Sequence, residues 1–465
     1  MTRPEGREAL ERAHLLAEAD RRLLARVPGR IEPDRDRVVA LLDLMGDPQR
    51  AAPAVHLTGT NGKTTTARMV EALLAASGLR VGRYTSPHLQ HVTERLVLDG
   101  RPVDPGRLLA LLDEVEPLAR LVDERSAVPV TYFELLTAMA FAAFADAPVE
   151  AQVVEVGMGG RWDATNVLDA RVAVVLPVAL DHPELGDEVA AVATEKAGII
   201  HRGATAVLAV QEAEAARVLL ERCAQVGARV LREGVEFGVE ARRPGIGLQL
   251  VDLRGSTGVR YGEVPLTLLG EHQARNAAVA LAAAESFLAA GESSEPLQDD
   301  LVREALGSVV SPGRLEVVRG SPTVVVDAAH NPAGARATAA AVAESFAFER
   351  LVGVVGVLGD KDVEGLLEAL EPVLDAVVAT RPDSPRALPA EEVADVAAGL
   401  YGDARVVGAV DDLAGALDLA AADAEDGAPS GGAGVLVVGS VVLAGQARAL
   451  LVREEPGEAA GAADD

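Results

Sequence analysis

Short apolar runs alternate with amphipathic stretches along most of the chain, and this alternation is typical of mostly parallel strands joined by helices. In the first half, the apolar runs predict strands at 54–57, 152–156, 172–178 and 205–210. The helices predicted there span 5–26, 34–45, 64–76, 132–145, 187–197, 272–291 and 297–307. We therefore predict an α/β fold with a mostly parallel sheet.

Residues 228–269 interrupt this alternation, because short glycine-rich segments predict a smaller β region there. A second α/β alternation follows, so a domain boundary is expected near 309–313. Its predicted strands span 323–327, 351–357, 375–379, 405–407 and 434–439, and its helices span 333–346, 362–373, 390–400, 411–423 and 443–453. The composition of residues 424–433 predicts a flexible loop, and the acidic composition of the tail 454–465 predicts disorder.

The 465 residues are 49% hydrophobic and 25% charged, which suits two or three folded domains and excludes a wholly disordered chain. A formal net charge of −28 disfavours nucleic acid and acidic membranes as partners. The single cysteine, Cys223, fits a reducing compartment. The charged first residues lack the apolar core of a signal peptide and no run of 18 apolar residues occurs, so we expect a cytoplasmic protein without a membrane segment.

Lysine is rare in this chain, since the 43 basic residues include only Lys63, Lys196 and Lys361. A coding bias that replaces surface lysine with arginine leaves lysine where a guanidinium group cannot replace an amine. The three lysines therefore point to candidate sites.

A phosphate-binding loop is predicted between the first strand and its helix, in the segment Gly59-Thr60-Asn61-Gly62-Lys63-Thr64. The glycines let backbone N–H groups approach phosphate oxygens, Lys63 adds a compact positive charge, and Thr64 can ligate Mg²⁺ or phosphate. A plain glycine turn is the alternative. The motif favours a triphosphate such as ATP as the ligand.

Acidic and histidine side chains lie at or just after the carboxyl ends of two predicted strands. Glu155 lies in the strand 152–156, and Asp181 and His182 follow the strand 172–178. Because these positions meet the phosphate-binding loop at one edge of a parallel sheet, they favour a magnesium site. A role in capping or in loop structure is the alternative for each residue.

Eight short motifs follow one another along the chain. They are GTNGKT at 59–64, SPHL at 86–89, TYFE at 131–134, EVGMGGRWDATN at 155–166, DH at 181–182, EKAGI at 195–199, SPGR at 311–314 and DAAHNP at 327–332. In type and order they resemble the folylpolyglutamate synthases, a family that includes bifunctional dihydrofolate synthases and belongs to the Mur ligase superfamily. The resemblance covers residues 31 to 453, nearly the whole chain.

The resemblance implies an ATP-dependent ligase in which ATP phosphorylates a carboxylate of a folate or of dihydropteroate. The amino group of L-glutamate then attacks this acyl phosphate, and phosphate leaves. The implied fold is an ATP-binding P-loop domain over 1–310, with the smaller β region, followed by a Rossmann-like α/β domain over 311–453 that binds glutamate. The resemblance also implies Mg²⁺ at two sites and a monomeric enzyme.

The resemblance assigns roles to individual residues as well. The implied ATP ligands are Gly59, Thr60, Asn61, Gly62, Lys63, Thr64, Asn276, Arg314, Asp327 and His330. The implied magnesium ligands are Thr64, Ser86, Glu155 and His182. The implied catalytic residues are Lys63, His182, Lys196 and Arg314, of which Lys196 would be carbamylated. The implied substrate residues are Thr131, Tyr132, Phe133, Glu134, Trp162, Asp163 and Ala164 for the pterin and aminobenzoate groups, and Ser384 and Arg386 for glutamate.

Simple structural roles are the alternatives for several of these residues. Lys196 could be a surface cation, Arg314 an interdomain ion pair, Asn276 an ordinary helix residue and Phe133 a core residue. For Lys361 a solvated loop is as favoured as a site.

The chain departs from the family pattern at three places. The phosphate-binding loop reads GKTTT, which is also typical of Mur ligases. The segment 181–186 is one residue shorter than in the family, which could shift His182. The segment 439–446 lacks the tyrosine and the glutamate that are usual in the family. A muramyl peptide ligase is therefore one alternative, although only 58 residues precede Gly59, fewer than its additional domain needs. A P-loop ATPase that acts as a switch, without ligase activity, is the other alternative.

Overall fold

The computed structural model describes residues 3–27, 32–181, 183–289, 296–429 and 431–452. The helices are α1 (Arg3–Leu24), α2 (Asp36–Leu44), α3 (Lys63–Ala76), α4 (Pro105–Asp123), α5 (Tyr132–Asp146), α6 (Val189–Lys196), α7 (Ala213–Val226), α8 (Glu271–Leu288), α9 (Asp299–Gly307), α10 (Pro332–Ser345), α11 (Val363–Leu370), α12 (Ala390–Tyr401), α13 (Leu413–Gly427) and α14 (Val441–Leu451). The strands are β1 (Ala54–Thr58), β2 (Val81–Tyr84), β3 (Leu96–Leu98), β4 (Arg101–Pro102), β5 (Ala151–Glu155), β6 (Val172–Val175), β7 (Thr205–Leu208), β8 (Arg229–Arg232), β9 (Gly238–Pro244), β10 (Gln249–Arg254), β11 (Arg260–Leu266), β12 (Glu316–Gly320), β13 (Thr323–Val326), β14 (Arg350–Val355), β15 (Ala376–Thr380), β16 (Val406–Val410) and β17 (Ala433–Val438).

An eight-stranded sheet forms the centre of the first half, in the order β4-β3-β2-β5-β1-β6-β7-β8. The strands from β2 to β8 in this order are parallel, whereas β3 and β4 join one edge as antiparallel strands. Because β1 lies between β5 and β6, the loops that follow these three strands meet at one place. The predicted phosphate-binding loop follows β1, the segment with Trp162 and Asp163 follows β5, and Asp181 follows β6. Ser86 follows β2, the TYFE segment begins α5, Lys196 ends α6 and Asn276 lies in α8.

Helices cover both faces of this sheet, since its central strands are buried on both sides. On one face α3, α8 and α9 enclose a core with side chains such as Met69, Leu73 and Leu281. On the other face α1, α2, α4 and α5 form a second core, and α6 and α7 form a third. The predicted α/β class is therefore confirmed.

The smaller β region is an antiparallel sheet in the order β11-β10-β9. The prediction that all of 228–269 forms it was partly wrong, because β8 is the outermost parallel strand of the first sheet. Leu231 in β8 is buried, while its neighbours Arg229 and Arg232 are exposed. This alternation fits an edge strand as well as a separate hairpin, so the sequence alone did not distinguish them.

A six-stranded sheet with the order β12-β13-β17-β14-β15-β16 forms the centre of the C-terminal half. All its strands are parallel except β12, and helices α10 to α14 cover its two faces. The predicted loop at 424–433 was wrong for its first four residues, because α13 continues to Gly427. The predicted tail at 454–465 lies outside the described residues. No helix in the described ranges combines the length and the apolar character needed to cross a membrane.

Candidate functional site

The predicted phosphate-binding loop connects β1 to the N-terminus of α3. Gly59 has φ +146°, and a Cβ atom there would come within 2.6 Å of Leu176. Gly62 has φ +85°, and a Cβ atom there would come within 2.8 Å of the Asn276 side chain. Both positions therefore require glycine, and Asn276 of α8 lies beside the loop as the ATP assignment expects.

Two of the three lysines converge on one carbonyl oxygen of this loop. Lys63 Nζ donates to Gly59 O at 2.9 Å and to Thr60 O at 3.1 Å, and Lys196 Nζ donates to Gly59 O at 2.9 Å. Burial lowers the pKa of the Lys63 ammonium. Burial and the neighbouring Lys63 charge together lower the pKa of Lys196 to about 7. Lys196 is only 4% exposed, so the surface-cation alternative does not hold.

Beside the loop, Glu155 at the end of β5 meets two hydroxyl-bearing residues. Thr64 Oγ1 donates to Glu155 Oε2 at 2.9 Å, and the backbone N–H of Ser86 donates to the same oxygen at 3.2 Å. The Ser86 hydroxyl oxygen is buried and has no hydrogen-bond partner among the described residues. Burial raises the pKa of Glu155. A cation bound beside the carboxylate would lower this pKa and favour the ionised form.

These three side chains suit Mg²⁺, which prefers oxygen ligands and usually keeps several waters with only one or two carboxylates. The unpartnered Ser86 oxygen is the observation that favours this fit. The described residues contain no group of three or more acidic, histidine or cysteine side chains arranged so that they could hold a metal ion by themselves. His182, the fourth predicted ligand, lies outside the described residues.

A cavity of about 420 Å³ opens beside the loop between the two α/β halves. From the first half it is lined by Asn61, Gly62 and Asn276, and from the second by Arg314 and Asp327. The Arg314 side chain makes no hydrogen bond or ion pair with any residue in the described part of the chain, so the interdomain ion-pair alternative is not seen. A nucleotide-sized space therefore lies next to a phosphate-binding loop and an available arginine.

Asp327 follows β13 and holds the loop around it in place. Its carboxylate accepts from the backbone N–H groups of Leu315 and Ala329 and from the Thr338 hydroxyl. Its carboxylate therefore already has three donors, although Asp327 also lines the nucleotide-sized cavity. His330 Nδ1 lies 3.0 Å from the carbonyl oxygen of Ala328, and burial lowers the pKa of His330 to about 4.

Polar contacts join the two halves across this site. Lys361 Nζ lies 2.9 Å from Asp181 Oδ1, and His330 Nε2 lies 3.9 Å from the other oxygen of Asp181. The side chains of Asn61 and Asn331 exchange two hydrogen bonds of 3.1 and 3.2 Å. Lys361 is thus buried in an ion pair, and the solvated-loop alternative was wrong.

The TYFE segment begins α5, and two of its residues cap that helix. Thr131 Oγ1 accepts from the Glu134 backbone, while Glu134 accepts from the Thr131 backbone and pairs with Arg37 at 2.9 Å. Tyr132 lies under the guanidinium group of Arg95 at 5.3 Å, and Phe133 packs 6.0 Å from Tyr84. Thr131 and Glu134 therefore have structural partners, and their assignment to the substrate stays a prediction.

The loop after β5 carries an exposed tryptophan, Trp162, followed by a buried aspartate, Asp163. Trp162 is 45% exposed and lies 5.2 Å from the guanidinium carbon of Arg161. Asp163 is buried and accepts from the Met158 backbone at 3.0 Å, while Ala164 is also buried. Of these three predicted pterin residues, Trp162 is the one placed to meet a ligand.

The predicted glutamate residues lie on the loop after β15. The Ser384 hydroxyl oxygen accepts from the Arg386 backbone at 3.3 Å, and Arg386 lies 3.5 Å from Asp360. Asp360 precedes Lys361, so this loop adjoins the interdomain contact. Sequence reasoning missed the roles of Asp181 and Asn331 in joining the halves, although both lie in motifs that it had singled out.

Comparison with known proteins agrees with this geometry. The Mur ligase middle domain matches residues 57–284, and the Mur ligase glutamate ligase domain matches residues 313–441. The chain is 49% identical over 447 residues to the dihydrofolate synthase/folylpolyglutamate synthase of Mycobacterium tuberculosis, covering 91% of each chain.

Two solved structures extend this comparison. The M. tuberculosis folylpolyglutamate synthase complexed with ADP and AMPPCP superimposes with a TM-score of 0.90 at 48% identity, over 95% of this chain and 99% of that one. Escherichia coli FolC in complex with DHPP and ADP superimposes with a TM-score of 0.79 at 31% identity, over 94% and 97%. The chain belongs to the folylpolyglutamate synthase/dihydrofolate synthase family of Mur ligases.

Proposed function

We propose that this protein is an ATP-dependent ligase that adds L-glutamate to reduced folates and to dihydropteroate. The observation that supports this most is the nucleotide-sized cavity between the two halves, which Gly62 of the phosphate-binding loop and Arg314 both line. In the same loop, the Gly59 carbonyl oxygen accepts from both Lys63 and Lys196. The relatives described above are synthases of this kind, and their solved structures contain adenine nucleotides.

The reaction proceeds through an acyl phosphate. A carboxylate oxygen of the acceptor attacks the γ-phosphorus of ATP, and ADP leaves. The amino group of glutamate then attacks the acyl carbon, loses a proton and displaces inorganic phosphate, which carries away the acceptor's oxygen. Because both steps bring anions together, positively charged groups such as Lys63 and Arg314 stabilise the transition states.

Mg²⁺ would be held by Thr64, Ser86 and Glu155, with His182 as a further ligand, and a second magnesium site belongs to the same proposal. When bound, the ion neutralises charge on the phosphate groups. The chain's own residues orient the ligands, since Glu155 positions the Thr64 hydroxyl and the Ser86 backbone at one point.

Lys196 would carry a carbamate. Its pKa of about 7 leaves a large neutral fraction at neutral pH, and only the neutral amine reacts with CO₂. Carbamylation would replace a second positive charge beside Lys63 with a negative one. Arginine cannot form this group, which explains why lysine is retained here.

The acceptor and the amino acid would bind on opposite sides of the cavity. Trp162, Tyr132 and Phe133 would contact the pterin and aminobenzoate rings, because aromatic rings stack favourably on planar heterocycles. Arg386 and Ser384 would bind glutamate in the second half. We also propose domains at 1–310 and 311–453, in agreement with the ranges of the two family matches, and a cytoplasmic monomer without nucleic acid or membrane partners.

The test is ADP release by the purified protein with ATP, Mg²⁺ and L-glutamate, using dihydropteroate in one arm and tetrahydrofolate in the other. We expect glutamate-dependent ADP release in both arms, with products heavier by one or more glutamyl units in mass spectrometry. Absence of glutamate-dependent turnover in both arms contradicts the proposal.

A further inference from the structure

Arg68 lies one helical turn beyond Thr64 on α3, and both residues line a small cavity of about 40 Å³. Thr85 and Pro87 line it from the loop after β2, and Val441 lines it from α14. The cavity thus lies where both halves of the protein meet. Nothing in the assignments above uses Arg68.

The Arg68 guanidinium group has no hydrogen bond or ion pair with any residue that the structure describes, and its Nε is buried without a partner. Two carboxylates lie nearby. Glu71 pairs through Oε2 with Arg83 at 2.5 Å, while its Oε1 is buried without a partner among the described residues. Glu94 also lines the cavity, and its carboxylate accepts from the backbone N–H groups of residues 89–91. A buried donor without a partner costs free energy unless a ligand supplies the acceptor.

Other groups add positive potential at the same cavity. Arg314 lines both this cavity and the nucleotide-sized one, so the two spaces meet at its side chain. Val441 is the first residue of α14, and the N-terminus of a helix favours negative charge. Burial and the neighbouring Arg83 charge lower the pKa of Arg68 to about 10, which leaves the group charged at neutral pH.

We propose that this cavity is a carboxylate subsite of the ligation reaction, with Arg68 as the residue that binds a substrate carboxylate. This inference rests on the proposed function. A volume of about 40 Å³ admits a carboxylate group and excludes a pterin or a nucleotide. The guanidinium fork matches a carboxylate in geometry and charge. The carboxylate is either one from the incoming L-glutamate or the α-carboxylate of the acceptor's terminal glutamyl group.

The experiment compares Arg68→Gln with the wild type and with Arg80→Gln, a control at a half-exposed arginine that pairs with Glu150 at 3.6 Å. Both acceptors are used, because dihydropteroate lacks a glutamyl α-carboxylate and tetrahydrofolate has one. If Arg68 binds L-glutamate, the KM for glutamate rises about ten- to hundredfold with both acceptors. If it binds the acceptor, the KM for tetrahydrofolate rises by that factor, and the KM for dihydropteroate stays unchanged.

Either pattern supports the subsite and identifies its ligand, provided that the KM for ATP stays within about twofold of wild type. Arg68→Lys, which keeps the charge, should restore part of the lost affinity. Unchanged KM values for glutamate and tetrahydrofolate overturn the subsite. A fall in kcat alone, or a loss of Tm with unaltered KM values, also overturns it and assigns Arg68 to structure. An inactive wild-type protein instead contradicts the proposed function itself.

Discussion

Lys361 and Asp181 form a buried ion pair of 2.9 Å that joins the two halves of the protein. Each side chain is only 7% exposed. Removing one member of a buried pair takes away the shortest charge contact of the other. The pair therefore favours the arrangement in which Arg314 and Gly62 of the phosphate-binding loop line the same cavity.

A double-mutant cycle with Lys361→Met and Asp181→Asn tests this pair. We expect each single variant to lower kcat/KM for ADP release at least about tenfold. The increase in activation free energy of the double variant should be smaller than the sum of the increases in the two single variants. The difference, which is the coupling free energy, should be at least about 1 kcal/mol. Additive losses would show that the two side chains act independently.

Lys63 and Glu155 occupy the two sides of the predicted phosphate and magnesium site. We expect Lys63→Ala and Glu155→Ala each to lower kcat by at least about 100-fold. Lys63→Ala removes a positive charge that stabilises the anionic transition state, and Glu155→Ala removes a proposed ligand of Mg²⁺. Circular dichroism spectra should stay unchanged, and Arg80→Ala serves as the surface control. Glutamate-dependent ADP release that persists in either variant refutes the assignment of that residue.

Lys196 should make the activity depend on pH and on dissolved CO₂. Its pKa of about 7 lies below the usual value of 10.5, so the reactive neutral amine predominates above pH 7 and is lost as the pH falls through 7. With CO₂ removed, activity should fall further, and addition of bicarbonate should restore it. Labelled ¹³C-bicarbonate should give a carbamate resonance in the wild type.

Lys196→Arg provides the matched control for this carbamate, because it keeps a positive charge that cannot be carbamylated. We expect the resonance to disappear and kcat to fall by about 100-fold or more. Wild-type activity in this variant would return Lys196 to a structural role.

Trp162 is the single tryptophan of the chain and is 45% exposed on the loop after β5. We expect Trp162→Ala to raise the KM for tetrahydrofolate about tenfold, because a stacking surface for the pterin is lost. The KM for glutamate should not change, and Trp162→Phe should retain most of the affinity. Equal KM values for tetrahydrofolate in the wild type and both variants would show that Trp162 does not bind the acceptor.

Much of the fold could be predicted because local sequence signals agree with the tertiary structure. The phosphate-binding loop lies between a buried run and an amphipathic stretch, so its strand and helix were both predicted within one residue. The scarcity of lysine pointed to Lys63, Lys196 and Lys361. The structure places the first two on the Gly59 carbonyl oxygen of the phosphate-binding loop and the third in a contact between the halves.

The contacts between distant segments could not be predicted in the same way. Lys361 and Asp181 are 180 residues apart, and no local pattern indicates that they pair. Arg68 looks like any arginine on an amphipathic helix until the cavity around it is seen. The antiparallel strand β12 was missed because its alternating residues are only partly buried, which gives a weak apolar signal.

An isotope transfer experiment tests whether the reaction passes through an acyl phosphate. Tetrahydrofolate with ¹⁸O in its side-chain carboxylates is ligated to glutamate, and the inorganic phosphate is then analysed by mass spectrometry. We expect one ¹⁸O atom in each phosphate released, since the acceptor's oxygen leaves with the phosphoryl group. Phosphate without ¹⁸O, formed alongside glutamylated product, would contradict it.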